Sequence, residues 1–194
     1  MARADDPSKE LPRDLVAKPQ ISLTGSVGQD TLQAFRDQLA TAEEGEGSIA
    51  LELTTSGGDA EMGRRMALEV RLARERLGRR LIFIGKTEVY SAGVTIMSGF
   101  PPEDRYLTAD TQLLIHCRKL EKELQLEGPL KASRIRVQQL ISEIDASLEL
   151  EREGYDDLIR GSDVTFEEVE EKAEKGWYLR ADEALARRLI AGVV

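Results

Sequence analysis

Three short apolar runs in the first hundred residues each lead, through a glycine or serine, into a segment with helical character. The runs cover residues 21–24, 49–53 and 81–84, and the third is expected to end at Gly85. A fourth run follows at 111–115. This alternation predicts an α/β fold with a parallel sheet and right-handed crossovers. Ligands of such sheets bind beyond the carboxyl ends of the strands, where Gly57, Ser91 and His116 are expected to lie.

The helical segments differ in what they are expected to pack against. The first two carry one apolar face each, and the second is expected to end near Gly78. Residues 91–97 are small and apolar and predict a buried helix. A later segment carries an apolar stripe that either the same chain or a neighbouring subunit must cover. The stripe consists of Val137, Leu140, Ile141, Ile144 and Leu148. Thr165 and Glu168 predict a capping box at the start of a further helix.

The 194 residues are enough for one domain with a substantial core. Residues 1–19 combine charge, proline and alanine without periodicity, so they are expected to form a flexible N-terminal arm. Residues 20–194 are expected to form a single domain.

Charge and cysteine content restrict the partners and the compartment. Acidic residues outnumber basic residues by 36 to 27, and the net charge of −9 argues against nucleic acid or anionic membrane as partners. Cys117 is the only cysteine and cannot form an internal disulfide, and the first residues lack the apolar core of a signal peptide. No apolar run approaches the roughly 18 residues of a membrane-spanning helix. We therefore expect a cytoplasmic protein.

His116 is the only histidine in the chain, and imidazole can take and return a proton near neutral pH. Ser91 is the candidate hydroxyl, because it follows a strand and begins a predicted helix whose dipole favours developing negative charge. The backbone N–H groups of Ala92 and of the Gly57-Gly58 turn are candidate donors to an oxyanion. Taken singly, a glycine turn, a serine at a helix start and a lone histidine also have purely structural explanations.

Taken together, these segments resemble one family in their order and spacing: the proteolytic subunit of the Clp peptidase, ClpP. Residues 21–25 look like its opening strand, 55–58 like its Ser-Pro-Gly-Gly turn, and 90–93 match its nucleophile segment. Residues 113–116 are similar to its Met-Ile-His, and 178–184 to its Phe-Leu-Ser-Ala-x-Glu-Ala segment. The resemblance covers roughly residues 21–194. It implies a ClpP/crotonase-like fold of repeated strand–helix units with a helical oligomerisation extension.

The same resemblance implies a serine endopeptidase. Ser91 matches the nucleophile and His116 the general base, while the N–H groups of Gly57 and Ala92 match the oxyanion donors. The family also implies a homo-oligomer that acts on peptides or unfolded proteins, with ATP-driven unfolding supplied by a separate ATPase.

The chain departs from the family where the third catalytic residue belongs. Placing Tyr178 on the family's phenylalanine puts Gly176 where an aspartate orients the histidine. Loss of such an acid can reduce turnover by on the order of 10⁴. The acids near enough in sequence to substitute are Asp163, Glu171 and Glu174. A Ser-His dyad and an inactive site are the alternatives. The segment between His116 and Tyr178 is also longer than the family's usual helical extension.

Other site chemistries fit less well. Residues 85–87 do not complete a phosphate-binding loop, because that motif requires a glycine where Arg80 stands. One histidine and one cysteine without an acidic cluster at ligand spacing predict no metal site, and we expect no cofactor. Two rival functions remain besides the peptidase: an inactive ClpP-like subunit with an assembly or regulatory role, and an acyl-CoA-binding protein of the crotonase type.

Overall fold

The computed structural model describes Leu11 and residues 13–194. It contains one seven-stranded sheet, and five of its strands run in the parallel order β1-β2-β3-β4-β7. β5 pairs in parallel with β3, and β6 pairs antiparallel with β5. The strands are β1 (Ile21–Thr24), β2 (Ile49–Thr55), β3 (Leu81–Tyr90), β4 (Arg105–Leu107), β5 (Gln112–Ile115), β6 (Trp177–Arg180) and β7 (Gly192–Val193). The predicted α/β fold class is confirmed.

The described chain has seven α-helices, and the helix ends follow the local sequence. They are α1 (Arg13–Ala17), α2 (Gln29–Glu43), α3 (Ala60–Leu77), α4 (Ala92–Ser98), α5 (Leu130–Ile159), α6 (Phe166–Glu174) and α7 (Ala181–Ala186). The Asp59 carboxylate caps α3, which ends at Gly78 in the left-handed conformation as expected. The Thr165 hydroxyl accepts the Glu168 N–H at 3.2 Å, as the capping-box motif predicts. None of the described helices combines the length and the apolar character needed to cross a membrane.

The third strand continues past Gly85 to Tyr90, and a bend within it brings its end beside β5. Residues 83–85 pair with β4, whereas residues 88–90 pair with β5. Between the two halves the register with β2 shifts, and Thr87 has a φ of 60°. Such an irregularity bends a strand and changes the direction of its remaining residues. The bend brings the end of β3 beside β5, the strand that leads to His116.

Gly85 is a packing residue rather than a strand terminator. A Cβ atom built there would lie 2.5 Å from Leu107 Cδ2 and 2.8 Å from Val89 Cγ2. The glycine therefore lets these side chains pack against the β3 backbone, and the strand continues through it. The expectation that the strand stops at Gly85 was wrong for this reason.

Part of the expected N-terminal arm is ordered helix. The side chains of Leu11, Leu15 and Val16 pack on a separate apolar cluster of the sheet. That cluster consists of Ala50, Ile82, Ile84 and Tyr106. Side chains alternate along a strand, so these residues face away from the main core. The prediction of a flexible arm through residue 19 is corrected for α1, which covers this face, while residues 1–10 and 12 lie outside the described part of the chain.

The apolar stripe on α5 is not covered by the described chain. Val137, Ile141, Ile144 and Leu148 are between 37 and 51% exposed, whereas Tyr155 and Leu158 near the end of the same helix are buried. Only the C-terminal part of this 30-residue helix is therefore built into the core.

Candidate active site

Ser91 occupies a strained turn between a strand and a helix. It follows β3 directly, precedes α4, and has φ 54° and ψ −114°, a combination that non-glycine residues rarely adopt. Its N–H donates to the Leu114 carbonyl at 2.9 Å, which ties the turn to β5. The Ser91 side chain makes no capping hydrogen bond to α4. A strained turn with a free hydroxyl is the geometry that presents a nucleophile at the end of a sheet.

His116 follows β5, and the pairing of β3 with β5 places it near Ser91. Tyr90 and Leu114 are register partners, so Ser91 and His116 leave neighbouring parallel strands at the same edge. Both residues border one cavity of about 480 Å³. No hydrogen bond joins their side chains among the described residues. Catalytic hydrogen bonds are often long in unliganded sites and tighten when substrate binds.

The His116 ring is held by a backbone carbonyl. Nδ1 lies 2.6 Å from the carbonyl oxygen of Cys117. A carbonyl oxygen can only accept a hydrogen bond, so this contact requires the proton on Nδ1. Nε2 of neutral His116 then carries the lone pair that a general base needs.

No carboxylate in the described part of the chain forms a hydrogen bond or ion pair with His116. Of the three acids considered from the sequence, Asp163 is paired with Arg188, and Glu171 is paired with Lys175 at 3.2 Å. Glu174 ends α6 and does not border the cavity. The orienting contact to His116 is the Cys117 carbonyl.

Gly176 lies opposite His116, just before the strand that pairs with β5. Ile115 is the register partner of Trp177 in the antiparallel pair β5–β6, so the next position opposite His116 is residue 176. A Cβ built on Gly176 would lie 3.8 Å from Leu114 Cδ1, with no other atom of the described chain outside its chain neighbours within 4 Å. Its φ of 77° is a left-handed value that glycine adopts without strain.

The residues that carry the candidate oxyanion donors lie close to Ser91, and the N–H of one of them, Gly57, is already hydrogen-bonded. A Cβ built on Gly57 would lie 3.4 Å from Ser91 Oγ, so the glycine turn runs directly against the serine. The Gly57 N–H already donates to Thr55 Oγ1 at 3.0 Å. Gly58 borders the cavity, as does Ala92, which is the first residue of α4. The assignment of Gly57 and Ala92 as oxyanion donors stays a prediction.

The cavity combines an apolar wall with a charged rim. Its larger aliphatic side chains are Val94, Ile115, Leu150 and Leu158. At the rim, Arg118 forms an ion pair with Glu61, which also pairs with Arg64 at 2.8 Å. Although burial alone would raise the pKa of Glu61, the hydrogen bonds from Arg118 and Arg64 lower it below its ordinary value. The rim therefore links α3 to the segment after His116.

The two polar side chains that α5 contributes to the cavity, Tyr155 and Glu151, were missed by sequence reasoning. Tyr155 is 7% exposed, and its hydroxyl has no hydrogen-bond partner within the described chain. Burial raises the pKa of that hydroxyl, and the nearby Cys117 side chain adds to the effect. Glu151, one turn earlier, accepts the backbone N–H of Arg118. No sequence signal connects these residues to Ser91, because they approach it only through the packing of α5.

Comparison with known proteins gives a match at the level of structure. No family model matches the chain, and no curated protein matches its sequence. Among solved structures, a point mutant of ClpP1 from Listeria monocytogenes is similar with a TM-score of 0.70. The match covers 94% of each chain at 16% sequence identity. The chain therefore has a ClpP-like fold.

Proposed function

We propose that this chain is a ClpP-like serine endopeptidase that cleaves peptide bonds through an acyl-enzyme at Ser91, with His116 as the general base. The observation that carries the proposal is the strained Ser91 turn at the end of β3, beside a histidine at the end of β5, on one cavity. The ClpP-like fold supports a peptidase function, and Ser91 and His116 are the proposed nucleophile and base.

The proposed reaction uses the tautomer of neutral His116 that the Cys117 carbonyl favours, with the proton on Nδ1 and the lone pair on Nε2. Nε2 takes the proton of Ser91 Oγ as the oxygen attacks the peptide carbonyl, and the oxyanion is held by backbone N–H groups of the glycine turn and Ala92. Collapse of this intermediate breaks the C–N bond, and the leaving amine takes the proton from Nε2. Water then attacks the ester, gives its proton to Nε2, and Ser91 regains that proton as the acid product leaves.

The second oxyanion donor depends on the glycine turn. The Gly57 N–H serves as this donor only if it exchanges its bond to Thr55 Oγ1 for the oxyanion. Negative charge on the substrate oxygen favours that exchange, because hydrogen bonds to charged acceptors are roughly twice as strong as neutral ones.

We also propose that the protein is a cytoplasmic homo-oligomer. The exposed stripe on α5 is the proposed contact between subunits, because such an apolar face is not left in water without a partner. The single cysteine of the chain, Cys117, forms no disulfide, which is consistent with the proposed reducing compartment. The proposed substrates are peptides or unfolded proteins, and a separate ATPase is the proposed source of unfolding.

Labelling with a fluorophosphonate probe tests the peptidase proposal. Ser91 is expected to react covalently, and Ser91→Ala and His116→Ala are expected to abolish labelling. Ser56→Ala is the matched control, because Ser56 is an exposed serine in the neighbouring glycine turn and its loss should leave labelling intact. A folded protein that never reacts at Ser91 would refute the proposal.

A non-catalytic ClpP-like subunit is the second candidate, and it is favoured by Gly176 at the position of the acid. This function predicts a folded chain that does not label and that assembles with a second, active subunit. Co-expression followed by analytical ultracentrifugation and labelling of the complex separates the two functions.

A further inference from the structure

One peptide group lies between His116 and a carboxylate. The bond between Cys117 and Arg118 carries the Cys117 carbonyl, whose oxygen lies 2.6 Å from His116 Nδ1. The same peptide group carries the Arg118 N–H, which donates to Glu151 Oε2. Histidine, peptide and carboxylate thus form one continuous hydrogen-bonded chain.

We propose that Glu151 is the positioning residue of the catalytic histidine and acts through this peptide group in place of the missing acid. The proposal rests on the proposed peptidase function for its catalytic meaning. A peptide group is a resonance hybrid, so a carboxylate bound to its N–H increases the negative charge on its carbonyl oxygen. That oxygen then holds the Nδ1 proton more firmly and stabilises the imidazolium that forms when Ser91 is deprotonated. The Nδ1 proton itself does not move.

The position of Glu151 is fixed by the fold. Tyr155 and Leu158, one and two turns further along α5, are buried in the core, so the carboxylate stands on an anchored part of the helix. Residues four apart on a helix lie on the same face. Glu151 itself borders the cavity that contains Ser91 and His116.

The other hydrogen bonds of Cys117 and Arg118 do not restrain the N–H side of the peptide group between them. The Cys117 N–H donates to the Ala173 carbonyl at 3.3 Å, which fixes the near end of the segment. The Arg118 side chain reaches Glu61 at the cavity rim, away from its own backbone N–H. Rotation of the peptide plane between Cys117 and Arg118 is therefore restrained by Glu151 on one side and His116 on the other.

The single histidine permits a direct test by nuclear magnetic resonance. In protein labelled with ¹⁵N-histidine, the two ring nitrogens of His116 are observed without any assignment problem. In the wild type, neutral His116 is expected to carry its proton predominantly on Nδ1. Glu151→Ala is expected to give a mixture of the two tautomers, and the rate of fluorophosphonate labelling should fall by up to about 100-fold, the effect of a small misplacement of a catalytic group.

Glu151→Gln separates charge from geometry. Its amide oxygen can still accept the Arg118 N–H, so the Nδ1–H tautomer should persist while the Nδ1–H proton resonance moves upfield and labelling slows less than in Glu151→Ala. Glu149→Ala and Glu149→Gln are the matched controls, because Glu149 is an exposed glutamate on the same helix. These controls should leave both measurements unchanged.

The outcomes are distinguishable from failure of the proposed function. If Ser91 never labels, the tautomer of His116 still reports whether Glu151 orients the ring. An unchanged tautomer in folded Glu151→Ala would overturn the inference. If Glu151→Ala does not fold, an unchanged Nδ1–H resonance in Glu151→Gln would overturn it equally.

Discussion

Gly57 is the position at which a single methyl group should disable the site. An alanine Cβ there would lie 2.8 Å from Ser91 Cβ and 3.3 Å from the Tyr90 carbonyl oxygen. Both atoms belong to or adjoin the backbone, so no side-chain rotation can relieve the contact. The φ of Gly57 is +108°, which adds a backbone strain for any residue with a Cβ.

Gly25 offers a control that separates the two effects. Its φ is +95°, close to that of Gly57, and a Cβ built there meets no atom within 4 Å. Gly25→Ala should therefore destabilise the protein by the backbone strain alone, about 1–2 kcal/mol. Gly57→Ala adds the displacement of a packed neighbour, about 1–3 kcal/mol. The combined loss is expected to be roughly 2–5 kcal/mol, provided the two effects are additive.

Urea unfolding followed by circular dichroism measures both losses, and fluorophosphonate labelling measures the reactivity of Ser91 in the folded protein. We expect Gly25→Ala to label at the wild-type rate. Gly57→Ala should label far more slowly even where unfolding curves show it to be fully folded, because the contact moves Ser91. Equal stability losses and equal labelling rates in the two variants would refute the packing argument.

Two further predictions concern the buried charge and the rim. Arg105 is 1% exposed, and burial lowers its pKa to about 10, yet the guanidinium is satisfied by backbone carbonyls. These belong to Ser98, Phe100, Asp157, Leu158 and Leu189. Arg105→Met leaves at least the two closest carbonyl acceptors without a hydrogen bond. At about 1–3 kcal/mol for each unsatisfied carbonyl, the free energy of unfolding should fall by roughly 2–6 kcal/mol. Arg160→Met, at an exposed position, is the control and should change the free energy of unfolding by less than about 0.5 kcal/mol. At the rim, a double-mutant cycle of Glu61→Gln and Arg118→Gln should give a coupling of about 0.2–1 kcal/mol at pH 7. Because the native pKa of Glu61 is lowered, this contribution is fully present above the ordinary value of 4.5 and is lost as the pH falls from there through the lower native pKa. A coupling unchanged at a pH below the native pKa would contradict the assignment.

Local patterns in the sequence were sufficient for several elements around the site. The strands 21–24 and 49–53, the helix after Ser91 and the cap at Thr165 all appear where periodicity and turn residues place them. Each of these elements is determined mainly by residues that are close to it in the sequence. Residues 85–90 of β3, which lead to Ser91, were not predicted, because their pairing with β5 depends on a bend that the local sequence does not reveal.

Elements stabilised by distant contacts gave no such signal. The three residues of β4 include Arg105, a charged residue that is tolerated in the core only because carbonyls from three other segments surround it. β7 has two residues, too few for any periodicity. Glu151 reaches the Arg118 N–H across 33 positions of sequence, and helical periodicity cannot reveal such a partner.

Gly176 is explained by the end of α6 rather than by the catalytic site. It follows Lys175, the C-cap residue of that helix, with a φ of 77°, and its N–H donates to the Ala173 carbonyl at 3.1 Å. This is the left-handed stop that glycine provides best, and it turns the chain from α6 into β6. An aspartate at this position would have to adopt the same strained backbone, at a cost of about 1–2 kcal/mol. Position 176 thus favours the helix stop over an acid, and the ring of His116 depends instead on a backbone carbonyl whose own peptide group is held from α5.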